Sequence, residues 1–201
     1  MSEHLFGDDV KFQQRFLKTA DLYTGAIDGD WGPLTDAAYE AFMTEATQLA
    51  ERLGRFDARS EGNIQTLHLP VQEAARAFLR RVRNAGIDAR IISGTRSYAE
   101  QDRLYRQGRF GNPGPVVTKA RGGRSWHNFG LAWDIGVFDR GAYLTDSPLY
   151  NRAAEVGMDG VLEWGGDWTG FVDRPHYQKL PGALQLADVR TRFEMGQTFF
   201  A

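Results

Sequence analysis

The chain has 201 residues, a formal net charge of −2, 42% hydrophobic and 25% charged residues, and no cysteine. That length holds one medium domain, or a module of about 50 residues joined to a domain of about 130 to 150, and the composition is that of a folded soluble protein. The missing basic surplus argues against nucleic acid or an anionic membrane as partner, and the missing cysteines exclude disulfides, thiolate zinc sites and cysteine nucleophiles, so any metal must be held by His, Asp or Glu.

The opening "MSEHLFGDDVKF" has no basic stretch followed by an apolar one, and no run approaches the roughly 18 apolar residues of a membrane span. The expectation is a chain made in the cytoplasm without a signal peptide. Next, "VKFQQRFLKTADLYTGAIDGDWGPLTDAAYEAFMTEATQL" reads as helix, turn, helix. Phe12, Phe16 and Leu17 mark one apolar face, and Tyr39, Phe42 and Met43 mark another. Gly25, Gly29, Gly32 and Pro33 break both periods, and Thr35 is the expected N-cap, with Asp36 in the first turn. The turn "AIDGDWGPLTDAAYEAF" resembles the signature of small helical peptidoglycan-binding-like modules, D-G-x-x-G-P-x-T before the second long helix. A purely structural helical hairpin is the alternative. A third helix would come from "TEATQLAERLG", unless that stretch continues helix two.

"GRFDARSEGN", residues 54–63, is polar and glycine-bearing and reads as a linker. After it, Val71, Ala74, Ala75, Phe78, Leu79 and Val82 fall at helical spacing between Pro70 and Gly86. "DARIISGTRS" then alternates into a strand, and so does "GLAWDIGVF". Helix and strand together predict an α+β domain.

Of the four histidines, His4 belongs to a terminus and His68 precedes a helix beside Pro70, positions that need no chemistry. His127 and His176 keep different company. In "GLAWDIGVF", Leu131, Trp133, Ile135 and Val137 share one face of the strand, which turns Asp134 to the other between Ala132 and Gly136. In "DRPHYQ", Asp173 precedes His176 by three residues, and Pro175 argues against a helix there. Two imidazoles and one carboxylate, with a fourth position for water, form the ligand set of hydrolytic zinc sites. Spacing alone leaves a structural reading of these residues open.

"SGTRSYAEQDRLYRQGR", "GGRSWHNFGLAWDIGVFD" and "DRPHYQ", in that order, resemble the zinc peptidases of bacterial cell-wall peptides. That family contains D-alanyl-D-alanine carboxypeptidases and L-alanyl-D-glutamate endopeptidases, phage endolysins among them. The resemblance runs from about residue 57 to about residue 180. It implies a hedgehog and D-Ala-D-Ala-peptidase-like α+β fold with zinc held by His127, Asp134 and His176. By the same resemblance Asp173 is the general base and Arg96 faces the substrate to stabilise the oxyanion, while Tyr98 and Gln101 line the same groove. Ser125, Trp164 and Gln178 are further candidates for substrate contact, and Glu163 is the rival acid.

The expected organisation is a helical module over residues 1–52, a zinc peptidase domain over 57–185 and a C-terminal tail over 186–201. The expected substrate is the peptidoglycan stem peptide, cut as an L-alanyl-D-glutamate endopeptidase cuts it by a monomer acting in the periplasm or outside the cell, of phage or bacterial origin. The alternatives are a D-alanyl-D-alanine carboxypeptidase and a non-catalytic wall-binding protein.

Overall fold

The structure, a computed structural model, describes residues 7–200; His4 lies outside them. Two compact units are distinguished. One combines the described residues up to 45 with residues 96–129 and 181–200, and the other combines residues 46–95 and 130–180.

Helix α1 (Gly7–Thr19) lies in the first unit, and α2 (Pro33–Leu53), whose residues up to 45 belong to it and whose remainder belongs to the second, follows the predicted turn. Phe16 and Leu17 are buried as expected, and Phe16 meets Phe42 edge to face. The inner stripe of α2 differs from the expected one. It runs Thr35, Ala38, Phe42, Ala46 and Ala50, whereas Tyr39 is exposed beside Trp31. Nor is Thr35 the N-cap. Pro33 already occupies the first helical position, where its fixed φ and missing N–H cost nothing, and Thr35 is buried within reach of Gln14. Gln14 is itself fully buried beneath the turn. It accepts from the Gly29 N–H at 2.9 Å and donates to the Asp28 carboxylate at 2.8 Å and the Asp30 carbonyl at 3.0 Å, so one amide fixes the loop. "TEATQLAERL" continues α2 and forms no separate helix.

The same unit contains α5 (Tyr98–Arg106), opened by a capping box between Ser97 and Glu100. Within the stretch read as a tail lies α7 (Leu186–Met195), closed by Gly196 in the left-handed conformation. Phe193 of α7 is fully buried and packs against Phe12, Tyr98 and Phe129.

The second unit is built on an antiparallel sheet of β1 (Asp88–Ser93), β2 (Ala132–Asp139), β3 (Ala142–Leu144), β4 (Glu163–Trp164) and β5 (His176–Gln178). The order is β1-β2-β5-β4, with β3 paired to the far end of β2. This is the mixed helix and strand architecture that the hydrophobic periods predict. Helix α4 (Leu69–Asn84) packs on β1, and its Phe78 ring lies 4.3 Å from that of Tyr177 and 6.0 Å from that of Trp133. Helix α6 (Leu149–Gly157) approaches α4 so closely that a Cβ on Gly157 would lie 2.3 Å from the Phe78 ring, so only glycine fits.

The expected linker is partly helical, as α3 (Ala58–Ile64). Its polarity misleads because its acids have partners. Asp57 caps the Ser60 N–H and pairs with Arg83, and Glu61 forms a two-point ion pair with the fully buried Arg76 of α4. His68, just before α4, is buried and its pKa is pushed down to about 3 by that burial, so it stays neutral. Among the described residues, no helix is long and apolar enough to cross a membrane.

Candidate metal centre

Within the sheet unit the register does most of the positioning. Asp134 on β2 stands directly opposite His176 on β5, and its Oδ1 lies 3.2 Å from His176 Nδ1. The other ring nitrogen, Nε2, meets Gln178 Oε1 at 2.9 Å, and Gln178 Nε2 donates to Glu163 Oε2 on β4 at 2.8 Å. Trp168 covers the imidazole, ring centre to ring centre 4.9 Å. Burial is the largest influence on the His176 pKa and lowers it. The hydrogen bond and charge of Asp134 outweigh burial and hold the ring above its ordinary value.

Asp173 is half-buried in the turn that leads into β5, where its carbonyl accepts from the His176 N–H and its charge bears on the ring. The turn closes because residue 165 is glycine. The Asp173 N–H bonds the Gly165 carbonyl at 2.9 Å, and a Cβ on Gly165 would lie 2.4 Å from the Asp173 oxygen. Trp164 stacks on Tyr177 and donates its indole N–H to the Arg174 carbonyl.

In the other unit, His127 is buried in a single 3-10 turn (Trp126–Phe129) that precedes β2 in sequence, and the Ser125 carbonyl opens that turn by accepting from the Asn128 N–H. The Arg96 N–H bonds the His127 carbonyl at 3.0 Å, and Arg96 Nη2 lies 3.0 Å from His127 Nε2. A guanidinium only donates, so Nε2 presents its lone pair there. Gln101 holds the other arm. It is fully buried, accepts from Arg96 Nη1 at 3.0 Å and donates to Thr118 and to the Ala120 carbonyl. Its amide thus stands behind Arg96 with both ends engaged. The Tyr98 ring packs among Phe12, Phe129 and Phe193, and its hydroxyl is pushed up to about 12, chiefly by burial.

Sequence reasoning passes over Asn128, which is fully buried, accepts from the Gly123 N–H and donates to the Arg96 carbonyl at 2.9 Å. It ties the histidine turn to the arginine loop, and one asparagine in "SWHNFG" carries no periodic signal that could reveal this.

One ligand atom each from His127, Asp134 and His176 lie within 4.8 Å of one another, close enough to share one ion. Imidazole nitrogens with a carboxylate oxygen suit zinc, whose hydrolytic sites take three protein ligands and leave a position open. A family model described as D-alanyl-D-alanine carboxypeptidase matches residues 118–179, which include all three of these residues. The chain is also 38% identical over 125 residues to the peptidoglycan L-alanyl-D-glutamate endopeptidase CwlK of Bacillus subtilis (strain 168), an alignment spanning 57% of this chain and 74% of that protein. The chain belongs to this family of peptidoglycan peptidases.

Membership makes it a zinc metallopeptidase, and the His, Asp, His cluster is the donor set that such an enzyme requires. A second member, the L-alanyl-D-glutamate peptidase of Listeria phage A118, is 33% identical over 128 residues, covering 60% of this chain and 41% of the phage protein. Among solved structures, the L-Ala D-Glu endopeptidase ChiX of Serratia marcescens matches at 30% identity and TM-score 0.46, over 62% of this chain and 89% of that one. The D,D-pentapeptidase VanY of a VanB-type resistance cassette, solved as a mutant in complex with Zn(II), matches at 16% identity and TM-score 0.43, over 66% and 81%.

Proposed function

We propose that the protein hydrolyses the L-alanyl-D-glutamate bond of peptidoglycan stem peptides, acting as a monomer on the wall outside the cytoplasm. The observation that carries this reading is the cluster of His127, Asp134 and His176, with Asp173 in the turn before β5, in a chain so similar to CwlK. When bound, zinc polarises the scissile carbonyl and makes a water more acidic. His127, Asp134 and His176 would hold the ion, and Asp173, whose role as general base the family resemblance implies, takes the proton of the attacking water and delivers it to the leaving amine.

Arg96 is the donor for the developing oxyanion. Gln101 holds its Nη1, so the guanidinium keeps its place when the imidazole lone pair is engaged elsewhere. Loss of one such donor costs about 10²–10³ in rate. Arg96→Ala is therefore expected to lose that factor in kcat with zinc content unchanged; a variant at full rate would remove Arg96 from the chemistry. Gln101 and Tyr98 act in this reading through Arg96 and through packing.

Mass spectrometry of digested muropeptides tests the bond. Release of the stem peptide from the L-alanine linked to muramic acid is the expected result. The family model's own description favours the second reading, a D-alanyl-D-alanine carboxypeptidase, for which the digest would show only loss of a terminal alanine. Muropeptides left intact by zinc-loaded protein would favour a non-catalytic wall-binding protein.

Residues 1–52 are proposed as a wall-binding module, followed by the peptidase region over 57–185 and the segment 186–201. Trp31 and Tyr39 support the module reading, because they stand exposed at the turn with ring centres 5.7 Å apart. The double variant Trp31→Ala/Tyr39→Ala is expected to sediment less with purified sacculi while cleaving soluble muropeptides normally. Equal sedimentation would leave the helices a packing role only.

A further inference from the structure

We propose that Gln178 and Glu163 form a two-residue relay that fixes which nitrogen His176 offers to the metal. This rests on the reading of His176 as a zinc ligand. The relay follows from hydrogen-bond polarity along β4 and β5. Glu163 faces Gln178 across the strand pair, and its carboxylate only accepts, so the Gln178 amide must turn its NH₂ towards Glu163. The same amide then has only its carbonyl oxygen to present to His176 Nε2, 2.9 Å away. A carbonyl accepts and cannot donate, so Nε2 must carry the hydrogen. In the neutral ring, the form that binds a metal, the lone pair is thereby left on Nδ1, the nitrogen that when protonated donates to Asp134 Oδ1 at 3.2 Å.

Each link is placed by strand register, Glu163 opposite Gln178 and His176 opposite Asp134. Gln178 and His176 are both nearly excluded from solvent, so water competes poorly for either bond. Glu163 is exposed, and its carboxylate only accepts, which keeps the amide from turning over. Partners of this kind on the far nitrogen of a metal-bound histidine orient the ring and raise its basicity. Gln178 and Glu163 act here as positioning residues, through His176.

The test measures the zinc affinity of the full-length protein by competition with a chromophoric chelator, beside thermal melting of the metal-free form. Gln178→Leu is expected to bind zinc about 10–100-fold more weakly, with the melting temperature of the metal-free protein close to wild type. Glu163→Gln, at the exposed end of the relay, serves as the variant least able to disturb folding. It is expected to weaken zinc in the same direction, because its own amide lets Gln178 turn over. The double variant Gln178→Glu/Glu163→Gln restores an acceptor facing Nε2 and a donor facing residue 178, and is expected to recover most of the lost affinity. Nitrogen-15 NMR supplies a signature that simple packing would not move: the His176 proton on Nε2 in zinc-loaded wild type, and mixed tautomers in metal-free Glu163→Gln above the ring's pKa. Wild-type zinc affinity in both Gln178→Leu and Glu163→Gln would overturn the relay. Failure of the wild-type protein itself to bind zinc would instead overturn the ligand reading beneath it.

Discussion

Asp173→Asn is expected to lower kcat by about 10²–10⁴, the usual worth of a positioned general base, while zinc content stays at the wild-type level. The substitution keeps the size of the side chain, and the backbone contacts that shape its turn, the Asp173 N–H to Gly165 and the Asp173 carbonyl to the His176 N–H, are made by atoms it does not alter. What it removes is the capacity to accept a proton. Steady-state kinetics on a soluble muropeptide, with metal analysis of the same preparation, separates the two effects. Asp134→Asn provides the contrast, since it replaces a proposed ligand and is expected to lose zinc and activity together. Full rate in Asp173→Asn, or metal loss matching that of Asp134→Asn, would move the base to another acid. Glu163 is then poorly suited, because its carboxylate already accepts from Gln178.

His176→Ala is expected to abolish turnover, and His127→Ala likewise, each with a lowered melting temperature in the presence of zinc. Metal binding to the folded form contributes to folding stability, so a lost ligand removes that contribution along with the chemistry. The thermal shift should vanish when wild type and variant are compared after complete chelation, apart from any packing change. Melting scans with and without a chelator check this. A variant that keeps its zinc-dependent stabilisation would show that the replaced histidine is not a ligand.

The parts of the molecule legible in the sequence are those with a strong local period or a fixed local spacing. The alternation of Leu131, Trp133, Ile135 and Val137 predicts β2 and turns Asp134 away from the apolar face, and in the structure those four side chains are fully buried while Asp134 faces His176. Helix α4 is equally plain, from its apolar stripe between Pro70 and Gly86. Tertiary partners defeat the rest. Residues 54–63 read as a linker because they are polar, yet Asp57 and Glu61 meet arginines of α4 from far along the chain, and the pairing makes a helix of α3. Tyr39 fits the apolar period of α2 but packs edge to face on Trp31 at the surface. The Gln178 and Glu163 pair depends on which residues of β4 and β5 face each other, and one residue of slip would separate them. The supports of Arg96, Gln101 and Asn128, are likewise isolated polar residues whose purpose appears only once loops distant in sequence are brought together.

Elemental analysis of chelator-free protein is the most direct measurement of the account as a whole. One zinc per chain is expected for wild type and for Asp173→Asn, and none for His127→Ala, Asp134→Asn or His176→Ala. Wild-type protein without a stoichiometric divalent metal, or undiminished zinc after loss of any one of the three ligands, would contradict it.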